Sequence, residues 1–150
     1  MSVIQRVSFR IHTTPVAKGR PRATSINGKA RVYTPKKTAH FEAIVAETAE
    51  AHIGKLMEGP IEVSLSFYLP RPKRLQRKKD SSLAIVHTSK PDVDNLAKSV
   101  LDGLQAFMGD DAQVYRLTAS KYYAGKGVGP YVDVALCEFL PYQPGGDDDD

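Results

Sequence analysis

The strongest hydrophobic pattern in the chain is a strict alternation of apolar and polar residues over residues 61–69. The apolar set, which the alternation places on one face, is Ile61, Val63, Leu65, Phe67 and Leu69. A period of two is typical of a β-strand with one buried face. Stretches rich in β-branched and aromatic residues predict further strands over 3–12, 29–33, 113–123 and 131–139.

Two segments have the apolar spacing of three and four residues that is typical of helices. The first is 38–52; the second, 94–107, starts at Asp94, a suitable N-cap, and ends before Gly109. The predicted order is β(β)αβαββ, an α+β fold in which two helices cover one face of a mixed sheet of four to five strands. At 150 residues, we expect a single domain over 1–143 and a disordered acidic tail over 144–150.

The charge of the chain changes this picture by pointing to a polyanionic partner. The net charge is +4, but four of the 17 acidic residues are the consecutive aspartates 147–150; without them the chain has 21 basic and 13 acidic side chains, or +8. A basic surplus favours binding to phosphates. Lys90 is one predicted DNA contact, and the densest basic run supplies the others, Arg71, Lys73, Arg74, Arg77, Lys78 and Lys79. The simpler interpretation is a solvated loop.

Hydropathy and cysteine content predict a cytoplasmic protein. The chain has no apolar run long enough to span a membrane and no charged-then-apolar leader at its N-terminus. Its single cysteine, Cys137, can form no internal disulfide, which suits a reducing compartment. We read the four histidines as surface or hydrogen-bonded residues, because they lack metal-ligand spacing. The chain contains no Gly-rich phosphate-binding loop, so the sequence does not predict a nucleotide cofactor.

Five aspartates between residues 90 and 114 are the candidates for chemistry: Asp92, Asp94, Asp102, Asp110 and Asp111. Carboxylate oxygens are the ligands that Mg²⁺ prefers, with Mn²⁺ as a substitute, and such ions commonly assist phosphodiester hydrolysis. Simpler roles stay open, because Asp94 can be only a helix cap and Asp102 only an ion-pair partner of Lys98. Asp110 and Asp111 also suit a turn. The aspartates, with Lys90 beside them, nevertheless predict a metal-dependent nuclease site.

The run KPDVDNLAK at 90–98, followed by Asp102 and by DDAQV at 110–114, closely resembles the signature of the RusA family of Holliday junction resolvases. Those small enzymes cut four-way DNA junctions by paired nicks. The resemblance implies catalytic acids at Asp92, Asp94 and Asp111, with Asp110 beside them as a further metal ligand and Lys98 as a catalytic partner of the phosphate. It also implies Mg²⁺, branched double-stranded DNA as substrate and a homodimer.

Helix length raises a geometric problem for these acids. A helix over 94–107 spans about 20 Å, whereas the three residues before Asp111 return at most about 10 Å. Either the helix ends early, or two subunits complete each other's sites. Strand phase favours Asp111 over Asp110 as a ligand, since Asp111 then points with Tyr115 and Leu117 toward the helices.

The resemblance leaves two functional alternatives open. One is a nuclease for other branched DNA, such as forks or flaps, with the same residues. The other is a non-catalytic DNA-binding module in which the acids are structural. The family's compact arginine run before the first acid is replaced here by the dispersed basic residues 71–79 and by Lys90.

Overall fold

The computed structural model describes residues 1–19 and 22–145, and most of the predicted acidic tail lies outside these residues. Within them the order of elements is β1 (Val3–Ile11), β2 (Arg22–Ile26), β3 (Lys29–Tyr33), α1 (Lys36–Glu50), β4 (Ile61–Leu69), β5 (Ile85–Val86), α2 (Val93–Gly103), β6 (Val114–Tyr123) and β7 (Tyr131–Phe139). None of the described helices is long and apolar enough to cross a membrane.

Five of these strands form one mixed sheet in the order β1-β7-β4-β6-β5. Strand β4 pairs in parallel with β6, and α2 lies in the connection between them, whereas the other neighbours in the sheet are antiparallel. Strands β2 and β3 form a separate hairpin. The predicted α+β fold, with two helices and a mixed sheet in a single domain, is therefore confirmed.

The alternation in β4 produces the core. Its five predicted inward residues are all buried, and α1 and α2 pack their apolar stripes over the same face, through Phe41 and Val45 in one and Leu96 and Val100 in the other. Burying each such side chain contributes about 1.5–3 kcal/mol. The two helices approach closely at Gly103, where a Cβ atom would lie 2.8 Å from the side chain of Val45.

Helix α2 differs from the prediction at both ends. Asp92, not Asp94, is the N-cap residue, and its side chain makes no capping hydrogen bond. The helix ends at Gly103 and the chain continues as a short 3-10 turn over Gln105–Phe107. After the turn, Met108 forms a parallel β-bridge with Met57, the residue before the segment that leads into β4. The early end is one of the two alternatives that the helix-length argument allowed.

A buried carboxylate ties β7 to the segment before β4. Glu138 is 2 % exposed and accepts hydrogen bonds from Gln5 Nε2 at 2.9 Å and from the backbone amides of Glu58 and Gly59 at 2.8 and 3.0 Å. Burial raises the pKa of Glu138, but these hydrogen bonds and the charge of Lys55 together lower it further, so the net pKa is below the ordinary value. The folded protein therefore favours the ionised form.

We expect Glu138→Gln to destabilise the protein by about 1–3 kcal/mol at pH 7, because two buried amides lose a charged acceptor. A carboxyl whose pKa is lowered on folding stabilises the protein above its unfolded pKa, about 4.3, and this contribution is lost as the pH falls through the folded pKa. Urea unfolding at pH 7 and at decreasing pH should therefore show a stability difference that narrows in acid. Glu62→Gln is the matched control, since Glu62 makes only an exposed ion pair with Arg116 at 3.5 Å. Equal effects of the two variants would contradict this account.

Candidate active site

The amino end of α2 borders an open cavity of about 710 Å³. Its lining residues are His87, Thr88, Ser89, Lys90, Asp92, Val93, Asp94 and Lys121. Asp92 has an extended backbone and Asp94 lies in the first helical turn, so both predicted acids face one space. The partial positive charge of a helix amino end favours ionised carboxylates there.

Two cations accompany these acids. The Nζ atom of Lys90 lies 2.9 and 3.0 Å from the two carboxylate oxygens of Asp92. The Lys90 side chain is 85 % exposed and that of Asp92 47 %, so both groups are accessible from solvent. Lys98 follows Asp94 by four residues, on the same face of α2, and is exposed. The cavity lining thus combines two carboxylates with Lys90, and Lys98 follows one helical turn after Asp94.

Asp102 does not pair with Lys98, contrary to the simpler interpretation of its spacing. Its carboxylate lies 2.8 Å from Nζ of Lys18, which also binds Glu42 of α1 at 2.8 Å. The partly buried Lys18 therefore joins the two helices, and burial lowers its pKa less than the two carboxylates raise it. In the described structure, the contacts of Asp102 and Lys18 therefore link α2 to α1.

Asp110 and Asp111 lie at the other end of α2 and β6. Asp110 caps a 3-10 turn over Asp111–Gln113 by accepting a hydrogen bond from the amide of Ala112 at 2.9 Å, and the Gln113 side chain accepts one from the Asp110 amide. The hydrogen bond from Ala112 lowers the pKa of Asp110, as does the one that involves the Asp111 side chain. Asp111 is exposed and belongs to the turn, so the strand-phase argument for its direction was wrong.

Within one chain the two pairs of acids are far apart. The seven-residue advance from Val114 to Lys121 along β6 corresponds to about 23 Å, and Asp111 precedes this stretch whereas Lys121 lines the cavity at its far end. Over residues 1–19 and 22–145, no group of three or more Asp, Glu, His or Cys side chains could hold a metal ion. The cavity of a single chain therefore offers two of the four predicted metal ligands.

Strand β6 has an open edge beside these acids. Strand β5 pairs only with Tyr122 and Tyr123, so in the described part of the chain the residues from Val114 to Ser120 have a partner strand on the β4 side alone. Leu117 is 45 % exposed although the ladder places it on the helix side, whereas Tyr115, which is 51 % exposed, lies at a register shift and its ring centroid is 6.2 Å from that of Phe139. Their predicted burial against the helices is wrong: the register shift takes Tyr115 out of the inward phase, and Leu117 stays exposed on the helix side.

The basic run over residues 71–79, which was predicted to contact DNA, is a folded loop. Arg71 is buried, and its guanidinium donates hydrogen bonds to the carbonyls of Leu75 at 2.7 Å, Leu83 at 2.9 Å and Ser81. Because these carbonyls occupy it, Arg71 is corrected from a DNA contact to the residue around which the loop folds. The other predicted contacts of the loop are exposed, namely Lys73, Arg74, Arg77, Lys78 and Lys79.

Two cavity residues were missed by the sequence interpretation. His87 is 5 % exposed, and its Nδ1 atom has no hydrogen-bond partner in the described structure, so reading it as a surface or satisfied residue was wrong. Burial lowers the pKa of His87, and the charge of Lys121 lowers it further, so both favour the neutral imidazole. The available signal was Lys121 itself, a lysine in the inward phase of β6 after Leu117 and Ala119.

Comparison with known proteins adds a family match to this geometry. The model of the family described as Endodeoxyribonuclease RusA matches residues 12–135, which include both pairs of acids, Lys98 and the basic loop. The chain is also 34 % identical over 139 residues to the uncharacterized protein YqaN of Bacillus subtilis strain 168, a match that covers 88 % of this chain and 96 % of YqaN.

Proposed function

Because the chain belongs to the RusA family of endodeoxyribonucleases, we propose that it resolves four-way (Holliday) DNA junctions by paired, symmetric nicks. The observation that carries the proposal is that Asp92 and Asp94 line one cavity together with Lys90, with the exposed Lys98 one helical turn after Asp94. Carboxylates that bind a metal repel a phosphate backbone, and adjacent cations offset that repulsion.

The donor set of the site suits Mg²⁺, which binds through one or two carboxylates and keeps several waters. Asp92 and Asp94 would hold the ion, together with Asp111 and, beside it, Asp110. When bound, the ion would activate a water and offset charge on the phosphoryl oxygens. Lys98 would steady the scissile phosphate, while Lys90, now paired with Asp92, is free to exchange that carboxylate for a DNA phosphate.

We further propose that the acids are brought together by a homodimer. A twofold axis places two copies of the same edge strand antiparallel to each other, and antiparallel edges of β6 would form a continuous sheet. The amino end of one β6 then lies beside the carboxyl end of the other, so the partner's Asp111 would approach Asp92 and Asp94. Tyr115 and Leu117, exposed on this edge, would be covered.

The pairing is chemically reasonable for this strand. Unpaired edges usually carry prolines or inward-pointing charges that prevent association, whereas the open stretch of β6 reads VYRLTAS and its helix-side residues are uncharged. An axis near Leu117 sets Arg116 opposite Thr118 rather than opposite a second Arg116, which avoids repulsion between like charges. Two equivalent sites would result, as two symmetric nicks require.

The exposed loop cations would position the DNA on this dimer. Lys73, Lys78 and Lys79 have no ion-pair partner among the described residues, while Arg77 pairs with Asp80 at 3.3 Å and Arg74 lies near the hydroxyl of Tyr123. Such side chains suit phosphates rather than bases, so we expect them to contribute affinity and salt dependence and little sequence preference.

A panel of labelled substrates tests the proposal. We expect a synthetic four-way junction to be cut with Mg²⁺ or Mn²⁺ at two symmetric positions, a linear duplex of the same sequence to stay intact, and EDTA to stop cleavage. Faster cutting of forks or flaps would favour the broader branched-DNA nuclease. Tight junction binding without cleavage in either metal would leave a DNA-binding module and contradict the enzymatic role.

A further inference from the structure

The loop that carries Asp92 is fastened to β6 by one lysine. Nζ of Lys121 donates hydrogen bonds to the carbonyl of Pro91 at 2.7 Å and to that of Ser89. Pro91 immediately precedes Asp92, so the ammonium group binds the peptide unit that leads into the first acid. Lys121 also lines the cavity with both acids, so its two hydrogen bonds to the loop lie within the site.

The setting of Lys121 explains why its charge is directed at the loop. In the parallel ladder it lies opposite Phe67, a fully buried residue on the helix side of the sheet, and its own side chain is partly buried. An ammonium group in such a position requires acceptors, because a partly buried charge loses hydration that hydrogen bonds must replace. The carbonyls of Ser89 and Pro91 provide two.

Neighbouring contacts hold the loop at other points. The amide of His87 donates to the carbonyl of Lys121 at 3.3 Å, and the hydroxyls of Ser89 and Tyr123 lie 3.3 Å apart. These contacts fix the start and middle of the loop, whereas Lys121 holds its last carbonyl before Asp92. Losing Lys121 therefore frees specifically the segment that sets where the Asp92 carboxylate lies relative to Asp94.

We propose that Lys121 is a positioning residue, which acts on the metal-binding carboxylates by clamping the peptide units of Ser89 and Pro91. The inference rests on the proposed nuclease function and adds a residue to it. Groups that orient metal ligands without touching the metal typically change metal affinity or activity by about 10- to 100-fold when they are removed. Lys121→Met removes the ammonium group and keeps much of the apolar stem.

Lys126 offers a matched control elsewhere in the chain. Its Nζ clamps two backbone carbonyls in the same way, those of Arg77 at 2.6 Å and Asp80 at 2.7 Å, in the basic loop. Lys126→Met therefore removes one lysine clamp of the same kind without touching the loop before Asp92. Lys121→Arg is the conservative variant, because a guanidinium can also donate to two carbonyls.

The experiment combines single-turnover junction cleavage over a range of Mg²⁺ concentrations, Mn²⁺ binding without DNA, junction affinity in EDTA, and hydrogen exchange of the metal-free protein. For Lys121→Met we expect half-saturating Mg²⁺ and the Mn²⁺ dissociation constant to rise about tenfold or more, with junction affinity within about threefold of wild type. Exchange should increase over 88–92. In Lys121→Arg, half-saturating Mg²⁺ and the Mn²⁺ dissociation constant should return part of the way to the wild-type values. Lys126→Met should leave the metal requirement unchanged and raise hydrogen exchange near residues 77–80.

Several results would overturn the inference. One is an unchanged metal requirement in Lys121→Met, and another is an equal change of the metal requirement in Lys121→Met and Lys126→Met. A third is a Lys121→Met protein that loses only junction affinity, which would make Lys121 a DNA contact. If Lys121→Met unfolds, Lys121→Gln, which keeps a donor, is judged by the same criteria. Absence of cleavage by the wild type would count against the nuclease function, and hydrogen exchange would still test the clamp.

Discussion

The Asp94→Asn variant is expected to lose junction cleavage by a factor on the order of a thousand while it binds the junction at least as tightly as the wild type. Asparagine keeps the shape of the side chain and its place in the first turn of α2 but removes the charge that a divalent cation requires. Removing that charge also lessens repulsion of the DNA backbone. Single-turnover cleavage and a binding assay in EDTA separate the two effects.

Asp102→Asn controls for the chemistry of this substitution. Asp102 lies on the same helix, and its carboxylate pairs with Lys18 across the helix interface, so its loss should lower stability and leave the cleavage rate of folded protein near that of wild type. An Asp94→Asn protein that cuts at the wild-type rate would remove Asp94 from the site. A loss of binding in parallel with cleavage would make its role structural.

Mixing Asp94→Asn and Asp111→Asn subunits is expected to restore cleavage that neither variant has alone. If each site takes Asp92 and Asp94 from one subunit and Asp111 from the other, a mixed dimer has one complete site and one that lacks both acids. Random exchange makes half of the dimers mixed, so about a quarter of the wild-type number of sites should be active. The product should be a junction nicked in one strand, because only one site of the dimer cuts.

The control for this experiment is a mixture of Asp94→Asn with Asp92→Asn. Both changes fall in the same half of the shared site, so every site in the mixed dimer is defective and no activity should return. Co-expression with two different affinity tags isolates the mixed dimers. Inactive dimers of Asp94→Asn with Asp111→Asn would show that each site takes all its acids from one chain, whereas an active Asp111→Asn protein on its own would show that Asp111 is not a ligand.

The fold was predictable from sequence because its strongest signal is local. The alternation in β4 and the β-branched runs of β1 and β7 each set a strand within one residue of its observed bounds. Helix α2 was harder, since its end at Gly103 depends on close packing against Val45 and on the bridge from Met108 to Met57. Those contacts join residues far apart in the chain, which no local pattern contains.

Of the candidate site, the sequence predicted mainly the acidic residues. Spacing placed Asp92, Asp94 and Lys98 at one helix end, but the exposed edge of β6 and the separation of Asp111 emerged from the topology. Arg71 shows the opposite error, since a basic run carries no sign that one arginine folds back onto the loop's own carbonyls. Lys121 was missed because its partners are backbone oxygens, which have no sequence signature.

A supercoiled plasmid that extrudes a cruciform shows whether the dimer makes paired nicks at a four-way junction. Two nicks made across one junction in a single binding event convert the plasmid to a linear form, whereas one nick yields a relaxed circle. We expect linear product from the wild type with Mg²⁺ and intact supercoiled plasmid with EDTA. Plasmid that stays supercoiled in Mg²⁺, or equal nicking of a plasmid without the cruciform, would contradict the account.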